Sequence, residues 1–199
     1  MNLVLDIGNT LLKVGLFKSG ILINYYEFNE NYYDNIENIL ETNQIFHSIV
    51  SNVSKSESKL IELLSAKTKL IHFDSKLKIP FINEYKSKNT LGNDRLALVS
   101  SAVMKYPNEN ILIIDLGSCI TYDFINFKNE YLGGAISPGL NMRYKSLNSF
   151  TANLPLLNPK QINNKIGKNT EDSIHCGIIN GIVSAVSYTH LRAHETSID

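Results

Sequence analysis

The sequence predicts an α/β fold of two duplicated lobes, each opening with a β-hairpin and building a mixed sheet, the second lobe incomplete. Three observations lead there. Val4-Leu5-Asp6-Ile7-Gly8-Asn9-Thr10 is echoed by Ile113-Ile114-Asp115-Leu116-Gly117-Ser118-Cys119, an apolar run entering Asp-x-Gly and a small polar residue. A second alternating run follows each copy, Leu11–Phe17 and Ile120–Ile125, so each unit reads as strand, tight turn, strand. Helical periodicities then follow each hairpin, as in a sheet with helices packed on it.

In the first lobe, Ile21–Phe28 is a third strand after the Lys18-Ser19-Gly20 turn. Tyr32, Tyr33, Ile36, Ile39 and Leu40 mark one face of a helix. Phe46–Val50 reads as a strand, Glu57–Ala66 as a helix, Lys69–Phe73 as a strand, and Asn93–Lys105 as a helix stopped before Pro107. The second lobe repeats the opening with strands Ile111–Leu116, Ile120–Asn126 and Glu130–Ile136. Helices follow at Leu140–Phe150 and from Thr170 to about Val186. The expected division is a lobe over 1–106, an incomplete lobe over 107–186, and a non-native tail over 187–199, where the sequence turns polar and aperiodic.

Composition narrows the function. Lys+Arg and Asp+Glu are both 19, which argues against a broad basic footprint for nucleic acid or an anionic membrane. No apolar run reaches the roughly 20 residues that span a bilayer. Residues 1–17 lack a basic start and carry Asp6 and Asn9 where a signal peptide has its apolar core. Cys119 and Cys176 form no CxxC pair, so the expectation is two reduced thiols in a cytoplasmic protein. GxxxxGK[ST] and GxGxxG are both absent, which disfavours a P-loop or a Rossmann dinucleotide site.

The hairpin turns carry the candidate chemistry. In Asp6-Ile7-Gly8-Asn9-Thr10, backbone N–H groups and short polar side chains can hold phosphate oxygens, and Asp6 can hold hydrated Mg²⁺. Lys13 follows within reach of a phosphate. One such motif alone is an ordinary β-turn with a capping Asp; its recurrence at Asp115, Gly117, Ser118 and Thr121 turns the reading towards a triphosphate clamp. Asp123 follows on the same strand, either as part of that site or as a strand residue on a polar face. Gly92-Asn93-Asp94-Arg95 opens a helix. Its plain reading is a cap with a surface arginine; its sharper reading makes Asp94 the base for a substrate hydroxyl, at a helix end whose dipole favours an anion. Gly133-Gly134-Ala135-Ile136-Ser137-Pro138-Gly139 is a strand running into a tight corner. Thr170 reads as the N-cap of the last helix, His175 as packing within it, and Tyr85 as a tyrosine in a polar stretch.

Taken in order, Asp6-x-Gly-Asn-Thr, Tyr85, Gly92-x-Asp-Arg, Asp115-x-Gly-Ser-x-x-Thr-x-Asp123, Gly133-Gly-x-Ile-x-Pro-Gly139 and Gly167-x-x-Thr170 resemble the type III pantothenate kinases, over roughly residues 1–186. The resemblance implies the actin-like ATPase (ribonuclease H-like) and sugar kinase fold, a homodimer, and phosphorylation of pantothenate by ATP with Mg²⁺ on the nucleotide and a monovalent cation, K⁺ or NH4⁺. It implies ATP contacts from Asp6, Ile7, Gly8, Asn9, Thr10, Leu11, Leu12, Lys13 and Ser118. Pantothenate contacts would come from Tyr85, Gly92, Asn93, Asp94, Arg95 and Thr170, the last near the dimer interface. Asp94 would be the proton acceptor and Asp115 the cation ligand. The chain departs from the family at Gly117-Ser118-Cys119, where Gly-Thr-Ala is usual and Ser keeps the hydroxyl, and at Lys88, where a proline is common.

Two rival readings remain open on the residues. Another small-molecule kinase or phosphatase could share the fold, since fold does not fix substrate; the Gly92–Arg95 motif tells against it. A non-catalytic regulator on the same scaffold should have lost the base, yet Asp94 is present.

Overall fold

A computed structural model describes residues 1–8, 11–52, 57–74 and 77–195. It is an α/β structure with two mixed sheets and, among the described residues, five α-helices. The chain divides into two compact units: 1–78 with 87–97, and 79–86 with 98–199.

The first unit carries a sheet of β1 (Asn2–Ile7), β2 (Leu12–Lys18), β3 (Ile21–Phe28), β4 (His47–Asn52) and β5 (Lys69–His72), in the order β3-β2-β1-β4-β5. The three N-terminal strands form an antiparallel meander, and β4 and β5 add in parallel on the other side of β1. Parallel neighbours need crossovers; α1 (Tyr33–Thr42) and α2 (Ser58–Lys67) supply them. Strand alternation sends Leu3, Leu5 and Ile7 of β1 and Leu12, Val14 and Leu16 of β2 into one core with Ile36, Ile39, Leu60, Leu63 and Leu64 of the helices. Removing one of these side chains costs about 2–5 kcal/mol. Asp6 therefore falls on the face of the sheet away from that core, alongside Asn2 and Val4. The Ser19-Gly20 link has positive φ at both positions (50° and 81°), which twists a two-residue hairpin the right way.

The second unit carries β7 (Ile111–Leu116), β8 (Cys119–Ile125) and β9 (Glu130–Pro138) as an antiparallel meander, with a two-residue strand β6 (Ile82–Asn83) parallel to β9, giving the order β6-β9-β8-β7. Each unit thus contains a three-strand antiparallel meander whose first turn follows an Asp-x-Gly. β8 lies between two neighbours, with Ile120, Tyr122, Asp123 and Ile125 all buried. α4 (Leu140–Ser149) and α5 (Thr170–Glu195) pack through Tyr144, Ile174 and Ile178, with Leu140, Leu147 and Ile182 against them. α3 (Asn93–Lys105) begins in the first unit and ends in the second.

Several elements differ from the sequence expectation, among them a short 3-10 turn at Lys88–Thr90. β6 is too short to leave a pattern and exists through pairing alone. α5 continues nine residues past Val186, through a stretch with no apolar period, because Leu, Arg, Ala and Glu propagate a helix without an amphipathic face. Among the described residues no helix is long and apolar enough to cross a membrane.

Candidate functional site

In the first unit the β1–β2 turn places Asp6 directly opposite Lys13, and Ile7 opposite Leu12. The Gly8 N–H donates to the Leu11 carbonyl at 3.1 Å and closes the turn. Asn9 and Thr10 lie outside the described residues. Ile7 and Leu12 are 3% and 2% exposed, so their side chains anchor the turn in the core. Leu11 is half-buried and Lys13 exposed. On its other side Asp6 pairs with Ser51 of β4, so Asp6, Lys13 and Ser51 form one row across three strands. The Ser51 hydroxyl is buried and has no hydrogen-bond partner among the described residues. Nothing in the sequence around Ser51 announced it; only the parallel register brings it beside Asp6.

The N-terminus of α3 belongs to the same unit. Leu96 N–H donates to the Gly92 carbonyl at 3.1 Å, making Gly92 the cap position. Asp94 is exposed, and its Oδ1 accepts the Arg95 N–H at 2.8 Å. A Cβ on Gly92 would collide with that same oxygen, so glycine is what lets the carboxylate fold back over the helix end. Asn93 is half-buried. Arg95 is not the surface arginine of the plain reading: it is 5% exposed, and a guanidinium is taken from water only where it is held by partners.

In the second unit the β7–β8 turn repeats the arrangement. Asp115 pairs with Thr121 and Leu116 with Ile120, and the Gly117 N–H donates to the Cys119 carbonyl at 3.0 Å. Ser118 is exposed at the tip. Its carbonyl accepts the Gly139 N–H at 3.1 Å, and a Cβ on Gly139 would run into the carbonyls of Gly117 and Ser118. The Gly133–Gly139 corner thus braces the turn. Thr121 is 8% exposed, and its hydroxyl has no hydrogen-bond partner among the described residues. The Asp115 carboxylate, this hydroxyl and the turn carbonyls are all hard oxygen donors, a set that suits a hard cation rather than zinc. Among the described residues no three His, Cys, Asp or Glu side chains gather into a metal cluster, so a divalent ion would be held through one or two carboxylates at most.

Tyr85 is half-buried and tied to the sheet edge. Ile82 N–H donates to Asn129 O at 2.9 Å, Glu84 N–H to Tyr131 O at 3.0 Å, and Tyr85 N–H to the Asn83 side-chain oxygen at 3.0 Å. Asp123 is fully buried and accepts the Tyr131 hydroxyl at 2.6 Å, so it is no part of a solvated polar face.

Thr170 is exposed at the first position of α5, one residue inside the helix. The cap is Asn169: its side-chain oxygen accepts the Asp172 N–H at 2.8 Å, and its amide donates to the Asp172 carboxylate at 2.8 Å. Gly167 leaves room for this first turn, since a Cβ there would meet the backbone of Asp172 and Ser173. His175 has a definite partner, the Tyr144 hydroxyl at 2.6 Å, and both are 2% exposed. Burial pushes the Tyr144 phenol above its ordinary value.

Comparison with known proteins gives one family. The family model described as type III pantothenate kinase matches residues 2–192. The type III pantothenate kinase of Christiangramia forsetii is 48% identical over 184 residues, 92% of this chain and 76% of the relative. That of Flavobacterium psychrophilum is 41% identical over the same shares, and that of Bacteroides fragilis is 39% identical over 92% of this chain and 75% of the relative. Among solved structures, one described as a conserved Baf family transcriptional activator from Campylobacter jejuni superposes with a TM-score of 0.60 at 24% identity. It covers 93% of this chain and 77% of its own, and its likeness is one of fold.

Proposed function

The chain belongs to the type III pantothenate kinase family, and we propose on that basis that it transfers the γ-phosphate of ATP to pantothenate, the first step towards coenzyme A. The observation that carries the site reading is a repeated pair. In each unit an Asp near the end of the first strand stands beside a buried hydroxyl without a partner, Asp6 with Ser51 and Asp115 with Thr121. A buried hydroxyl left unsatisfied costs about 1–3 kcal/mol, and both lie beside a carboxylate at a phosphate-type turn.

In this reading Asp6 to Lys13 line the nucleotide phosphates. The Lys13 ammonium supplies a donor, Ile7, Gly8, Leu11 and Leu12 shape the turn beside the phosphates, Asn9 and Thr10 belong to the same contact set, and Ser118 contacts the nucleotide. Mg²⁺ carried by ATP would neutralise phosphate charge, with Asp6 placed to hold its waters. Asp115, aided by Thr121, holds the monovalent cation. Gly92, Asn93, Arg95, Tyr85 and Thr170 hold pantothenate. Asp94, exposed at a helix end, accepts the hydroxyl proton as the oxygen attacks phosphorus. The two meanders with Asp-x-Gly turns support assigning both units to a duplicated actin-like ATPase fold. Dimer formation, with Thr170 near the interface, belongs to the same reading.

ATP-dependent phosphorylation of pantothenate, followed with and without K⁺, tests it. Product from this chain and none from other small-molecule alcohols is the expected result; transfer to another alcohol with pantothenate inert would overturn the substrate.

A further inference from the structure

We propose that Asp123 and Tyr131 are a positioning pair that sets Tyr85 as a wall of the pantothenate site, an inference that rests on the reading of Tyr85 as a pantothenate contact.

The pair exists because of a register shift. Along β8 and β9, Asp123 pairs with Gly134 and Phe124 with Gly133, but Ile125 pairs with Tyr131, leaving Leu132 as a one-residue bulge. In an unbroken ladder Leu132 would take the position beside Ile125, on the same face as Asp123. The bulge puts Leu132 into solvent, at 51% exposed, and brings Tyr131 onto the Asp123 face at 0% exposed. The Tyr131 hydroxyl then donates to Asp123 Oδ1 at 2.6 Å.

Burying a carboxylate is costly, and an apolar pair could fill the same volume without that cost. What the hydrogen-bonding partner adds is a fixed phenol. Tyr131 is held at its tip by Asp123 and flanked by two aromatic rings, Phe81 edge-on at 5.9 Å and Tyr85 tilted at 6.0 Å. Three contacts locate Tyr85 against Tyr131. Its ring leans on the Tyr131 ring, the residue before it donates to the Tyr131 carbonyl, and Asn83, which accepts its N–H, pairs with Tyr131 in the sheet. The ring also lies against Gly133, which sits at φ +110° and whose Cβ, if it had one, would stand 3.2 Å from Tyr85 Cδ2. The bulge, the glycine and the buried acid thus fix one exposed-edge aromatic, an expense that packing alone does not require.

The test compares Tyr85→Ala, Tyr131→Phe and Asp123→Asn by steady-state kinetics. Tyr131→Phe keeps ring and volume, so it carries the test even where Asp123→Asn fails to fold. We expect Tyr85→Ala and Tyr131→Phe each to raise KM for pantothenate about tenfold, and Asp123→Asn, which keeps an acceptor, about threefold. In all three, kcat and KM for ATP stay within about twofold. Hydrogen exchange over 79–86 should quicken in Tyr131→Phe. If Tyr85→Ala raises KM and Tyr131→Phe does not, the positioning role is overturned while the Tyr85 reading stands. If Tyr85→Ala leaves KM unchanged, the Tyr85 reading falls and takes the inference with it. A parallel loss of kcat, KM for ATP and thermal stability in Tyr131→Phe would mark a purely structural role and also overturn it.

Discussion

Thr121 stands directly across the β7–β8 pair from Asp115, and its buried hydroxyl has no hydrogen-bond partner among the described residues. Thr121→Val keeps the shape and removes the unsatisfied oxygen. Stability should hold or rise by about 1 kcal/mol, while the K⁺ concentration for half-activation rises roughly tenfold. Thermal denaturation and a K⁺ titration of the kinase check the two halves separately. Lost stability with an unchanged K⁺ requirement would contradict the cation role.

Asp94→Asn should lower kcat by about 10³-fold and leave the fold intact, because the exposed carboxylate accepts the neighbouring Arg95 N–H, which an amide oxygen can also accept. ADP release in the presence of pantothenate is the readout. Full activity in this variant would remove Asp94 from the mechanism.

Gly139→Ala forces a methyl group onto the carbonyls of Gly117 and Ser118. We expect a loss of about 1–3 kcal/mol and a raised KM for ATP with KM for pantothenate little changed, measured by thermal melts and two-substrate kinetics.

Asn169 and Thr170 should separate cleanly. Asn169→Ala removes a reciprocal cap and should cost about 1 kcal/mol of stability. Thr170→Val should leave the melt nearly unchanged and raise KM for pantothenate. The opposite pattern would return the capping role to Thr170.

Alkaline stability has a defined contributor in Tyr144. Its raised pKa means the folded state keeps the phenol protonated where the unfolded chain releases the proton, so stability is intact below about pH 10 and falls as pH rises beyond it. Tyr144→Phe should flatten that fall, at the cost of the His175 hydrogen bond at all pH values. Urea melts from pH 8 to pH 11 give the slopes.

The strands and helices that alternate or repeat were legible because burial imposes those periods: Leu3, Leu5 and Ile7, or Ile36 and Ile39, announce their face in the sequence. What depended on partners far along the chain was not. Ser51 gains its meaning from a parallel neighbour, β6 from two pairs with β9, and Arg95 its burial from tertiary packing. The cap at Asn169 was read one residue late because Asn and Thr are both competent caps and only the backbone decides between them. The sequence reads His175 as packing because its partner, Tyr144, lies on another helix.

The bulge at Leu132 has a consequence for how related sequences should be compared. The address of the Tyr131 phenol depends on the count of residues between it and Gly133, and only secondarily on which residue fills position 132. A relative that keeps both the tyrosine and the glycine but lacks the intervening residue retains the letters and loses the arrangement. Length at this one place is the character to score, and a single-residue gap there marks the loss of the Tyr131–Asp123 contact rather than a variation in loop size.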